Sequence, residues 1–151
     1  MTDVLKFLNG IRDAREEINT LKQKRDELYY SLMPSGIRYD TDRVQTSPED
    51  RMPVVTGDIY EIQQQLNQMI ESLAHDINLA MKLVNRMEVS KHRQLILLRY
   101  FGLDRESTTW EKVANVMGYT PEYVRGELHG AAIQEARAIW KNLTEPYKEK
   151  L

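Results

Sequence analysis

Apolar residues recur at alternating intervals of three and four along the start of the chain: Val4, Phe7, Ile11, Ala14, Ile18, Leu21, Leu28 and Leu32, with Arg25 the polar intruder. This spacing predicts a helix with a coiled-coil seam. Its polar face, "RDAREE" and "KQKRDE", carries mixed charges at spacings that pair along a solvated helix. Pro34 and Gly36 of "MPSG" predict its end. A second seam runs through Ile59, Ile62, Leu66, Met69, Leu73, Ala80, Leu83 and Met87, broken by Asp76. Two helices of similar length, about 45 Å each at the usual rise, predict an antiparallel coiled-coil hairpin. One hairpin buries only a stripe of each helix, so a second copy is expected to complete a four-helix core. The alternative is that the C-terminal helices fold back over the open side.

Between the seams lies the loop 34–57, "PSGIRYDTDRVQTSPEDRMPVVTG". A connection this long in a compact unit marks a functional or a disordered segment. "SPED" has the form of a helix start, but Pro53 is expected to break that helix, which places the start of the long helix at Asp58 with Glu61 three residues on. Arg38, Arg43 and Arg51 are the loop's candidates for a phosphate or an acidic partner surface. Asp40, Asp42, Glu49 and Asp50 match no calcium-loop spacing, so no metal is expected.

The pattern changes at "KHRQLILLRYFGL", a helix with apolar residues on most sides that ends at Gly102, followed by the turn "DREST". Thr108 with Glu111 three residues on predicts a capped helix whose inner face is Trp110, Val113, Ala114 and Met117. Gly118, four residues after Ala114, permits a turn with positive φ. Thr120 and Pro121 then open a further helix, as N-cap and first position, packed by Val124, Leu128, Ala131, Ala132 and Ile139. Together these predict a helix-turn-helix.

Composition narrows the class of protein. The chain has 151 residues, 41% hydrophobic and 29% charged, with 7 Gly, 5 Pro and no Cys. That profile is helical and leaves no disulfide framework, thiolate metal site or cysteine nucleophile. No basic start with an apolar core and no long apolar window are present, so neither secretion nor a membrane partner is expected and the location is read as cytoplasmic. Charge is uneven: residues 1–90 hold 11 Lys/Arg against 15 Asp/Glu, net −4, and residues 91–151 hold 10 against 8, net +2. This split supports two domains, an oligomerising hairpin over 1–90 and a DNA-binding unit over 91–151. His75, His92 and His129 sit on separate helical stretches, and no hydrolase, kinase or metalloprotease motif occurs, so no enzyme and no cofactor are expected.

Residues 93–136, "RQLILLRYFGLDRESTTWEKVANVMGYTPEYVRGELHGAAIQEA", resemble the promoter-reading part of bacterial sigma factors. They are more closely similar to the sigma region 4-like tails of small phage and prophage regulators of Gram-positive bacteria, the ArpU-like proteins. The loop "IRYDTDRVQTSPEDRM" between coiled-coil segments is similar too, so the likeness covers nearly the whole chain. It implies an all-α fold in which a long antiparallel coiled-coil hairpin precedes a sigma region 4-like helix-turn-helix. It further implies a sequence-specific regulator of phage type in the bacterial host cell, binding double-stranded DNA as a homodimer and contacting RNA polymerase.

In such a fold the outward residues of the recognition helix are Glu122, Tyr123, Arg125, Gly126 and His129. Arg125 suits guanine, Glu122 the cytosine amino group, and Tyr123 a phosphate or thymine methyl. Backbone contacts fall to Lys91, Arg93, Arg99, Arg105, Thr109 and Lys112. Two other functions share these features. A small terminase-like DNA-packaging subunit is also helical and oligomeric, but such proteins place the DNA-binding unit first. A protein-interaction adaptor would use the same helices against a protein.

Overall fold

The computed structural model describes residues 3–32, 48–102 and 104–144, the side chains of residues 48–53 excepted. Among the described residues every regular element is helical, giving an all-α protein, and no helix is long and apolar enough to cross a membrane. Helices α1 (Val4–Leu32) and α2 (Pro48–Arg86) are followed by α3 (Ser90–Tyr100) and α4 (Trp110–Met117). Then α5 (Pro121–Tyr123) passes through a π-helical turn, Val124–Leu128, into α6 (His129–Thr144). By contacts the chain divides into two units, one of Met1–Glu16 with Ser72–Leu151 and the other of Glu17–Glu71.

The second long helix begins ten residues before its expected start at Asp58 and runs through Pro53, reaching 39 residues against 29 for α1. The expected break fails because Pro53 lies in the second turn. There it forfeits one bond, to the carbonyl of Glu49, and leaves the long downstream ladder intact. Gly57 is likewise absorbed in the helix interior. Of the loop 34–57, residues 34–47, with Arg38 and Arg43, lie outside the described residues. Arg51 belongs to the first turn of α2.

In the larger unit the start of α1 and the end of α2 share one core with the C-terminal helices. Val4, Leu8 and Ile11 pack with Ala80, Leu83, Val84 and Met87, and with Leu95, Ile96, Tyr100, Val113, Val124, Leu128, Ala132 and Trp140. Leu8, fully buried, is a seam residue that the three-and-four spacing passed over. Phe7 meets Trp140 with ring centroids 4.6 Å apart, and Arg137 forks onto Asp3 at 3.1 and 3.2 Å. The C-terminal helices thus cover this end of α1. In the smaller unit Arg25, the seam's intruder, donates from Nη1 to Gln63 Oε1 at 3.0 Å. Only Ile18 and Leu66 are buried among its described residues.

Glu135 of α6 ties the end of α2 to α3. Its Oε1 accepts from the backbone amides of Glu88 (2.8 Å) and Val89 (3.3 Å), and its Oε2 meets His92 Nδ1 at 2.8 Å. Burial opposes the charge of this carboxyl, but the His92 bond and the two amides outweigh it and hold its pKa below the usual range.

Candidate nucleic-acid interface

The turn between α4 and α5 is built by local chemistry. Gly118 takes φ 78°, ψ 28°, the left-handed conformation that glycine adopts without cost, and ends α4. The Ala114 carbonyl accepts from both Gly118 N–H (2.9 Å) and Tyr119 N–H (3.0 Å), so the last turn of α4 keeps a partner. Thr120 then caps the next helix: its Oγ1 accepts from Tyr123 N–H at 3.3 Å, with Pro121 at the first helical position.

At the other end of α4 the cap is Thr109, not Thr108. Thr109 Oγ1 accepts from Lys112 N–H at 3.4 Å. The hydroxyl of Thr108 is already engaged, donating to the Arg105 carbonyl at 3.0 Å and accepting from Arg12 Nε at 3.0 Å, and the residue is 2% exposed. Its bonds to Arg105 and Arg12 turn the Thr108 hydroxyl away from the helix end, and the next threonine takes the cap.

The five residues assigned to base contact divide in two. Glu122, Tyr123, Arg125 and Gly126 are exposed around the start of the helix. His129 turns inward: its Nε2 meets Tyr100 Oη at 2.7 Å, and its ring stands edge-on to Trp110 with centroids 4.9 Å apart. The cause is the π turn, in which His129 N–H donates to the Val124 carbonyl five residues back. One π turn holds one residue more than an α turn, which sets every later residue back by about 100° around the axis. The same shift exposes Ala131 and buries Ile133, Ala136 and Trp140 in its stead. Burial first, and then the charge of Arg99, lower the His129 pKa to about 4; burial raises that of Tyr100 to about 12. At neutral pH the pair is therefore an uncharged hydrogen bond.

The backbone candidates also part. Arg93 is spent inside the fold, its Nη1 donating to the carbonyls of Met87 (2.6 Å) and Glu88 (3.1 Å) at the end of α2. Arg99 donates to the Thr108 carbonyl at 2.6 Å and lies 4.1 Å from the Trp110 ring centroid. Arg105 pairs with Glu16 at 3.0 Å. Lys91 and Lys112 are exposed. Lys91 Nζ sits 5.2 Å from the ring centroid of Tyr119, whose ring is 5.3 Å from that of Tyr123. Hydrogen bonding to Tyr119, and then its charge, raise the Lys91 pKa, so the ammonium stays charged. A lysine over Tyr119, with Tyr123 against that ring and a capped helix start beside them, offers both a phosphate ligand and flat rings for a sugar or base. Tyr119 carries no signal in the sequence beyond its place between the turn glycine and the Thr120 cap.

No family model, no curated protein and no solved structure matches this chain.

Proposed function

We propose that this protein is a sequence-specific DNA-binding regulator, of the phage type its sequence resembles, that reads double-stranded DNA with a helix-turn-helix formed by α4, the Gly118 turn and the helix from Pro121. The observation that carries the reading is the Ala114–Gly118–Thr120 turn, which caps both helices and leaves Glu122, Tyr123, Arg125 and Gly126 in solvent. Arg125 forks to guanine O6 and N7, and Glu122 accepts from a cytosine amino group. Lys91, Lys112 and Tyr119 take the backbone role, with Arg105 available once it leaves Glu16.

The helices of residues 1–90 form an antiparallel coiled-coil hairpin that pairs with a second copy, in the cytoplasm of a bacterial host. Support comes from the unit Glu17–Glu71, which leaves Tyr29, Tyr30, Tyr60 and Ile70 between 42% and 67% exposed. A homodimer doubles the few phosphate contacts each protomer supplies. RNA polymerase is the partner that the resemblance suggests.

A protein-interaction adaptor is the second reading, favoured by the internal use of Arg93 and Arg99, which thins the positive face. Selection of bound fragments from a random duplex pool, followed by footprinting, separates the two. A recovered motif with a protected footprint supports the regulator; a pool that shows no enrichment sinks it and favours the adaptor.

A further inference from the structure

Four arginines from α1, α3 and the α3–α4 turn converge within the larger unit. Arg12 is tethered to Thr108 Oγ1, as described. Arg15 Nη1 donates to the Gly102 carbonyl at 3.1 Å, Arg99 Nη1 to the Thr108 carbonyl at 2.6 Å, and Arg105 Nη1 to Glu16 Oε1 at 3.0 Å. The tethers hold like charges together against repulsion. Burial first, and then the charge of Arg12, lower the pKa of Arg99, and Arg105 acts in the same direction. Two guanidinium donors, Arg15 Nε and Arg99 Nε, are buried without a hydrogen-bond partner.

Arg12, Arg15, Arg105 and Thr108 line a cavity of about 10 Å³, room for one oxygen-sized group. Two carboxylates stand at the same cavity: Glu16 offsets one arginine of the cluster by holding Arg105, and Asp104 Oδ1 accepts from Ser107 N–H at 2.6 Å. Three arginines against two carboxylates leave positive charge in excess at the cavity, with the Arg15 Nε donor unfilled. An anion from outside relieves both, and guanidinium forks match phosphate oxygens. Arg105, whose side chain is 67% exposed, is the member free to swing onto an incoming group.

We propose that this arginine cluster is a phosphate site, admitting one phosphate oxygen among Arg12, Arg15 and Thr108 while Arg105 closes on the rest of the group at its mouth. The phosphate comes either from a DNA backbone, in which case the site rests on the DNA-binding reading and extends that interface to α1, or from a free phosphate.

The test is a ¹⁵N NMR titration of the full chain, following the Nε–H resonances of Arg12 and Arg15, which line the cavity, with sodium phosphate against sodium chloride at equal ionic strength, and separately with a duplex DNA whose binding is followed by anisotropy. The expected result is a phosphate-dependent shift of these two resonances, with a response roughly tenfold weaker in Arg105→Gln. A shift with inorganic phosphate identifies the free anion as sufficient; a shift with DNA alone identifies the backbone. If DNA binds and neither addition moves the resonances, the phosphate site is overturned and the DNA reading stands. If phosphate moves them and no DNA binds, the site stands and the DNA reading falls. No response to phosphate and no DNA binding overturns both.

Discussion

Gly102 and His129 show how far a single residue can be read without its neighbours. The sequence assigns Gly102 to ending a helix, yet its φ is not positive and the C-cap is Phe101. What requires glycine is space: a Cβ there would run into Thr108 Cγ2 and stand 3.1 Å from Ser107 Oγ. Thr108 cannot yield, since Arg12, Arg99 and the Arg105 carbonyl all hold it. Gly102→Ala should therefore cost about 1–3 kcal/mol, the usual price of overpacking, read as a lower urea midpoint; an unchanged midpoint would show that the turn relaxes freely. An unbroken α period places His129 outward, and no residue type in "VRGEL" announces the π turn that moves it. Its consequence is a pH dependence. The folded pKa of about 4 lies below the unfolded value of about 6.5. As pH falls the unfolded chain takes up the proton first, so stability is complete above about pH 6.5 and is lost progressively towards pH 4. Discounted for partial exposure, the loss is on the order of 1–2 kcal/mol. Urea melts at pH 7 and pH 4.5 measure it, and a flat profile across that window would contradict a neutral, inward His129.

At the scale of elements, the apolar periods of α1 and α2 and the signals at Gly118, Thr120 and Pro121 were legible, because each depends on residues near in sequence. The start of α2 was not: Pro53 counted as a break, when position within the helix decides what a proline costs. The cap of α4 slipped by one because Thr108 is claimed by Arg12, 96 residues away. The seams also promise more burial than the smaller unit delivers, with Leu21, Leu28, Ile59, Ile62 and Met69 only partly covered. Such helices are expected to pair with a second copy. Sedimentation equilibrium should find a dimer, and Ile70→Glu should shift it towards monomer; a monomer at every concentration would show that the half-covered seam suffices by itself.

For the whole molecule, the charge change at residue 90 suggested a boundary there, whereas contacts join Met1–Glu16 and residues 72–90 to the C-terminal helices. Charge reports surface, and Val4, Leu8 and Ile11 report packing. The start of α1 thus belongs to the unit that carries the proposed reader, which brings Arg12 and Arg15 beside the α3–α4 turn. No local pattern could show this: "RDAREE" reads as a solvated face, and its arginines meet Thr108 and Gly102 only through the fold.

The central claim is that bases are read at Arg125 while a few cations, Lys112 among them, hold the backbone. Anisotropy of a selected and a scrambled duplex, titrated between about 50 and 200 mM salt, tests it most directly. The account predicts a steep fall in affinity with salt. Arg125→Ala should cost about 1–3 kcal/mol on the selected duplex and little on the scrambled one, while Lys112→Ala should weaken both alike and lower the salt slope by about 1. Binding that ignores salt and both substitutions, or equal affinity of the intact protein for the two duplexes, would contradict it.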